Sequence, residues 1–568
     1  MPRLEPEARL AALAPLLHPG LTGEDAAAAV RALAPLQGLL AAAAPDQGTE
    51  PATLFDPLVA FIGQPAAAWP KDVSDPGPMG VQGAADAAPW PAATPPSGSL
   101  RGDIASVATG RVDPDAIASG YRARIAALQP HLNAFILVCA SDDPQARVTV
   151  AAEGAGAPQP LRGAALALKD MIETAGVATS GGSRLRANHV PTADATCWAR
   201  LRAGGATLLG KTNTHEFAAG TTNENAVFGV TRNPYDRERV AGGSSGGSAV
   251  AVATGMAGGA LGTDTGGSIR IPAACCGVVG FKPTYGRVSR RGVFALSWSL
   301  DHVGPIARTV ADAALLFGWM AGADPGDPTT LHQMALPTPE ALGLPRADLW
   351  HGLRIGIPEG WLACAGTAAV ASGGLPTASA VRQAFERALQ HMVTLGATPV
   401  PCDLGSPDEA TAINRIIALS ESAAYHAADL DARLEQYGAN VRGRMLAGRF
   451  LLAEEYMQAQ RWRAHYGRRC AAALAGPGGV HLVATPTLPT VAPPIGAPAS
   501  SGLALLRFCA PFNVTGWPAL TLPCGRSPEG LPIGVQLAAA PFHEPELLSA
   551  AAALEQALGA EAHTVANR

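Results

Sequence analysis

The 568-residue sequence predicts an α/β protein with a central sheet, preceded by a small all-helical unit and a Pro-rich linker. Three observations lead there. From about residue 99 onward, short apolar β-like runs alternate with helical ones. Before that, Leu10, Leu13 and Leu17, and again Val30, Leu33, Leu36 and Leu40, recur at three- and four-residue spacing. Between the two lies a stretch punctuated by Pro70, Pro76, Pro78, Pro89, Pro91 and Pro95.

Residues 1–64 therefore read as a small helical domain of two short helices, with Thr22 and Asp25 marking a helix start between the runs. Two such helices cannot bury their apolar stripes alone, so they are expected to pack on each other and on the larger domain. Residues 65–98 form the Pro/Gly-rich linker, and 99–568 the catalytic domain. Within that domain 161–168 and 353–358 read as buried strands, and 195–203, 310–320, 380–395 and 546–558 as helices. The sequence holds no repeat of fixed period.

Hydrophobic residues make up 48% of the chain and charged ones 15%, enough apolar material for a large core. With 41 basic against 46 acidic residues, the net charge of −5 offers no footprint for nucleic acid or an anionic membrane. Nine cysteines, an odd count without metal-ligand spacing, point to a reduced, cytoplasmic protein. The N-terminus lacks the pattern of a signal peptide, and no apolar run approaches membrane-spanning length.

Two Gly-rich loops centred on serines, GGSSGGS (242–248) and DTGGSIR (264–270), carry the chemistry. Successive amides in such loops converge on an anion, so Thr265, Gly266, Gly267 and Ser268 are the candidate oxyanion hole. A phosphate cradle is excluded in detail, because neither loop continues as Gly-Lys-Ser/Thr. Gly242 to Gly246 also satisfies the G-x-S-x-G elbow, which needs an acid and a histidine downstream. His302, His426, His481 and His543 follow, none in a distinctive setting. Lysine is the other available base: Lys169 ends the apolar run LRGAALALKD, where burial would lower its pKa. The local pattern equally allows a structural lysine paired with Asp170.

The segments ALKD (167–170), GKTNTHEFAAGTTNENAVFG (210–229), RNPYDRERVAGGSSGGSAVAVATG (232–255), LGTDTGGSIRIPAACCGVVGFKPTYGRVSRRGV (261–293) and SLDHVGPIARTV (299–310) resemble the amidase-signature family. Weaker likeness continues to about residue 560. The resemblance implies a large mixed sheet covered by helices on both faces. It also implies a Ser-cisSer-Lys triad without metal or organic cofactor. The nucleophile falls on Ser268, the bridging serine with its cis peptide on Ser244, 24 residues earlier, and the terminal base on Lys169. Asp264 and Arg270 are then expected to brace the loop. Gly243 and Ser245 are expected at the substrate, together with Arg444 as a carboxylate clamp.

Within the family, residues 284–306 are most similar to two groups. One is the A subunit of glutaminyl/asparaginyl-tRNA amidotransferase; the other is the 1-carboxybiuret hydrolases (AtzE-like) of cyanuric acid breakdown. The N-terminal unit is similar to the small AtzG-like partner of the latter, here fused in front. One position departs from the amidotransferase pattern: Leu506 stands where that pattern has an aspartate. The resemblance thus implies cleavage of a small, carboxylate-bearing linear amide or ureide, 1-carboxybiuret-like, through an acyl-enzyme. Alternatives are a broad amidase or carbamate hydrolase and an amidotransferase A-like glutaminase. A small-molecule amide is the expected partner, and a homodimer is allowed.

Overall fold

The computed structural model describes residues 99–140, 159–362, 377–476 and 478–559. The helical domain expected over 1–64 and the linker over 65–98 lie outside the described residues.

Among the described residues there are thirteen strands, numbered here in chain order. The first seven are β1 Phe135–Val138, β2 Ala165–Lys169, β3 Thr207–Thr212, β4 Glu224–Asn225, β5 Gly229–Val230, β6 Gly259–Asp264 and β7 Val279–Lys282. The rest are β8 His302–Ala307, β9 Arg354–Ile357, β10 Thr398–Pro401, β11 Leu482–Pro486, β12 Ala519–Arg526 and β13 Pro532–Ala539. Eleven of them form one sheet in the order β1-β3-β2-β6-β8-β7-β12-β13-β11-β9-β10, while β4 and β5 pair separately. The sheet is mixed: β2 runs parallel to both β3 and β6, whereas β6 and β8 are antiparallel.

Strand β2 shows why this sheet is covered on both sides. Its residues alternate between two apolar layers, Leu166 and Leu168 in one, Ala165 and Ala167 in the other. The first layer holds the helices Thr196–Ala203, Val310–Met320, Ser379–Thr394 and Glu544–Leu558. The second holds Pro114–Leu132, Gly246–Ala253 and Arg270–Cys276. A third apolar cluster joins the helices Pro407–Tyr425 and Ala453–Leu474 around Trp361, Trp462 and Trp517.

The expected elements fall within a residue or two of the observed ones, with one larger shift. The strand expected from residue 161 starts at Ala165, because a turn occupies 160–163 and Gly163 sits at φ +98°.

Candidate active site

The carboxyl ends of the parallel neighbours β2 and β6 deliver the chemistry, the usual place for a site in such sheets. Lys169 is the last residue of β2 and is fully buried. Its Nζ donates to Ser244 Oγ at 2.6 Å and to Thr263 Oγ1 on β6 at 2.7 Å. Burial pushes the Lys169 pKa down to about 7, although Asp301 and Asp264 pull it upward. A large fraction of Lys169 is therefore neutral near pH 7 and able to accept a proton.

Asp170, one residue on, points elsewhere. It accepts the Ser180 and Gly182 amides and faces Lys211 at 3.9 Å, so it is not the partner of Lys169. Successive residues of a strand project to opposite sides, which separates the two.

The Gly243–Ser244 peptide is cis, as the resemblance implies. The Ser244 carbonyl accepts the His215 amide at 3.1 Å and the Thr214 hydroxyl at 2.8 Å. The elbow reading of this loop fails on two counts. No strand enters it, and the partner of Ser244 Oγ is a lysine. The four histidines downstream are engaged away from Ser244. For example, His302 Nδ1 bonds the Leu300 carbonyl, and His481 Nδ1 accepts the Arg354 amide.

Ser268 lies in the loop that follows β6. The Ser245 amide donates to the Ser268 carbonyl at 3.2 Å, which ties the two serine loops together. Ser268 is 5% exposed and lines a cavity of about 520 Å³. The amides of Thr265, Gly266, Gly267 and Ser268 have no hydrogen-bond partner among the described residues. Gly267 holds φ +140°, and a Cβ there would come 2.6 Å from Cys509 Cβ, so only glycine fits this turn.

Beneath the loop, Arg270 and Asp264 are both fully buried and paired at 2.9 Å. Burial alone would raise the Asp264 carboxyl, but the Arg270 charge and hydrogen bonds outweigh it and hold the group well below the usual carboxylate range. Arg270 also donates to Cys509 O, Gln536 Oε1 and Asn513 Oδ1, while Asn513 Nδ2 donates to Asp264.

The packed helices Pro407–Tyr425 and Ala439–Arg449 close the far wall. Arg444 reaches the cavity, donating to the Ala219 carbonyl and lying 3.2 Å from His215 Nε2. Burial keeps His215 neutral, well below the usual histidine range, and Arg444 adds to that effect. Gly243 and Ser245, expected at the substrate, are not among the lining residues. The Ser245 hydroxyl is spent on Thr263 O and N, because it packs against β6 rather than facing the cavity.

Sequence reasoning missed Thr263, His215, Asn414 and Arg415. Asn414 Nδ2 donates to the Thr265 carbonyl at 2.8 Å. Arg415 lines the cavity, and burial together with neighbouring Arg444 lowers its pKa to about 10. A signal existed: Asn414-Arg415 interrupts the helical apolar run of Ile413, Ile416 and Ile417. Among the described residues, no group of three or more His, Cys, Asp or Glu is placed to hold a metal, and no helix is long and apolar enough to cross a membrane.

The amidase family profile matches residues 116–548. The A subunit of the glutamyl-tRNA(Gln) amidotransferase of Roseiflexus sp. (strain RS-1) is 41% identical over 472 residues, covering 79% of this chain and 92% of that protein. A solved inhibitor-bound complex of an s-triazine catabolic enzyme superposes with TM-score 0.72 at 32% identity, over 82% of this chain and 100% of the other. The peptide amidase PAM with chymostatin aligns with TM-score 0.62 at 30% identity, over 81% and 97%.

Proposed function

Since the chain belongs to the amidase family and cleaves amide C–N bonds, we propose that it hydrolyses the terminal amide of a small, carboxylate-bearing substrate through an acyl-enzyme on Ser268. One observation carries the substrate class. Two guanidiniums, Arg415 and Arg444, line the same cavity as Ser268, with Glu224 as the single carboxylate among the lining residues. Like charges this close are relieved by an anion, and a guanidinium fork suits a carboxylate.

In this reading neutral Lys169 takes the Ser244 hydroxyl proton as Ser244 takes that of Ser268. The Ser268 oxygen then bonds the amide carbon. The oxyanion so formed meets the amides of the 265–268 loop. The proton returns along the same path to the leaving nitrogen, the C–N bond breaks and ammonia departs. Water, deprotonated by the same relay, attacks the acyl-enzyme and releases the acid.

Among carboxylated amides the relatives favour glutamine, the amidotransferase A-like reading, over 1-carboxybiuret. The ureide is the second reading. It is favoured by Leu506, an apolar residue in the cavity wall where the amidotransferase pattern has an aspartate, and by the s-triazine enzyme neighbour. The eight described cysteines are free thiols, in keeping with a cytoplasmic protein.

Ammonia release from glutamine, malonamate, 1-carboxybiuret and an uncharged aryl amide tests the class. The carboxylated compounds should be turned over faster. In Arg444→Ala their KM should rise about 10- to 100-fold, the worth of a charged hydrogen-bonded contact. The aryl amide should barely change, and an equal loss on all four compounds would remove the carboxylate assignment.

A further inference from the structure

We propose that Asp301 is a positioning residue for the hydrolytic relay: it holds the oxyanion loop through the Thr265 hydroxyl and supplies a negative charge that Lys169 meets. The inference rests on the Lys169–Ser244–Ser268 reading. Asp301 precedes β8 and is 8% exposed. Its Oδ1 accepts the Thr265 hydroxyl at 2.5 Å, and its Oδ2 accepts the Leu296 and Ser297 amides at 2.9 and 3.0 Å. The Thr265 carbonyl is held from the opposite side by Asn414. The first residue of the loop is thus pinned at both side chain and backbone, which fixes where its amides can point.

Asp301 also borders a second cavity, of about 210 Å³, on the far side of the loop. Thr263, the other partner of Lys169 Nζ, lines that cavity too. One carboxylate therefore touches the loop and shares a cavity with Thr263, a hydrogen-bond partner of the proton acceptor. The groups facing it are Lys169 on β2, Arg290 from the segment before β8, and Tyr425 at the end of the Pro407–Tyr425 helix. His302 and Asp327 share its cavity, and burial keeps His302 neutral. Burial pushes Asp301 up to about 6, opposed first by the Thr265 hydrogen bond.

The relay needs neutral Lys169, so nucleophilicity should rise with pH through a limb near 7. The Asp301 charge favours the ammonium form. Removing it lowers the Lys169 pKa and moves the limb to lower pH.

The rate at which an alkyl fluorophosphonate labels Ser268 between pH 5 and 9 reads this without any choice of substrate. Asp301→Asn should shift the limb down by about half a pH unit or more. Thr265→Val should slow labelling about tenfold or more at every pH, and Thr265→Ser should restore it. An unshifted limb in Asp301→Asn, or wild-type labelling of Thr265→Val, overturns the proposal. Should Asp301→Asn fail to fold, the Thr265 pair decides. Absence of labelling at Ser268 in the wild type defeats the relay reading itself, and this inference with it.

Discussion

Ser268→Ala is expected to lower kcat for amide hydrolysis by about 10⁴–10⁶-fold while leaving the folded protein intact. The hydroxyl is small and lines a cavity, so its loss removes little packing. Lys169→Met, which keeps an apolar stem in the buried slot, should be nearly as inactive. The double variant should be little worse than either, because members of one relay fail together. Ammonia release at saturating substrate, with circular dichroism as the folding control, measures both. Multiplying losses in the double variant would show that the two residues act separately.

Arg270→Met carries the second large expected effect, on stability. It leaves the Asp264 carboxylate at 0% exposure without its cation, and it strips donors from Cys509 O and Gln536 Oε1. Breaking a buried pair in this way costs about 3–5 kcal/mol. The pH dependence should also reverse. In the wild type the Asp264 pKa is depressed, so its contribution is present above the unfolded carboxylate pKa of about 4 and is lost as pH falls further. In Arg270→Met, burial, the largest influence, is expected to outweigh the remaining Asn513 and Ile269 hydrogen bonds and the Lys282 charge and to raise that pKa. Stability should then increase as pH is lowered from 8 toward 5, because protonation discharges the buried group. Urea unfolding at several pH values checks the sign. A variant that loses stability over that range, as the wild type does in acid, would contradict the account. Asp264→Asn with Arg270→Met should recover part of the loss.

Much of this was legible in the sequence because strong local patterns survive tertiary packing. The helix expected over 310–320 matches Val310–Met320, since a run of small and apolar residues there is buried along most of its length. Lys169 was visible as a charge closing an apolar strand, but its partner was not. Whether it pairs with Asp170 or Ser244 depends on which side of the sheet it faces and on a loop 75 residues away. Position-by-position resemblance supplied that link, and geometry agrees with it.

The substrate side was harder to read. Arg444 was anticipated from the family resemblance alone, without any knowledge of the opposite wall. Asn414 and Arg415 sit on the Pro407–Tyr425 helix and His215 in the segment after β3, far apart in the chain, and they meet only as lining of one cavity. Ser245 was drawn to the substrate by its neighbours in the motif, yet its hydroxyl turns inward to β6. Asp301 lies in a segment that resembles the family, but nothing local marks its contact with Thr265, 36 residues earlier.

The central claim is that Ser268, activated through Ser244 by Lys169, is the nucleophile. Tryptic mass spectrometry of the wild-type protein after treatment with a fluorophosphonate tests it most directly. The account predicts a single phosphonyl adduct on Ser268, lost in Ser268→Ala and strongly slowed in Lys169→Met. An adduct on Ser244 that persists in Ser268→Ala would contradict it.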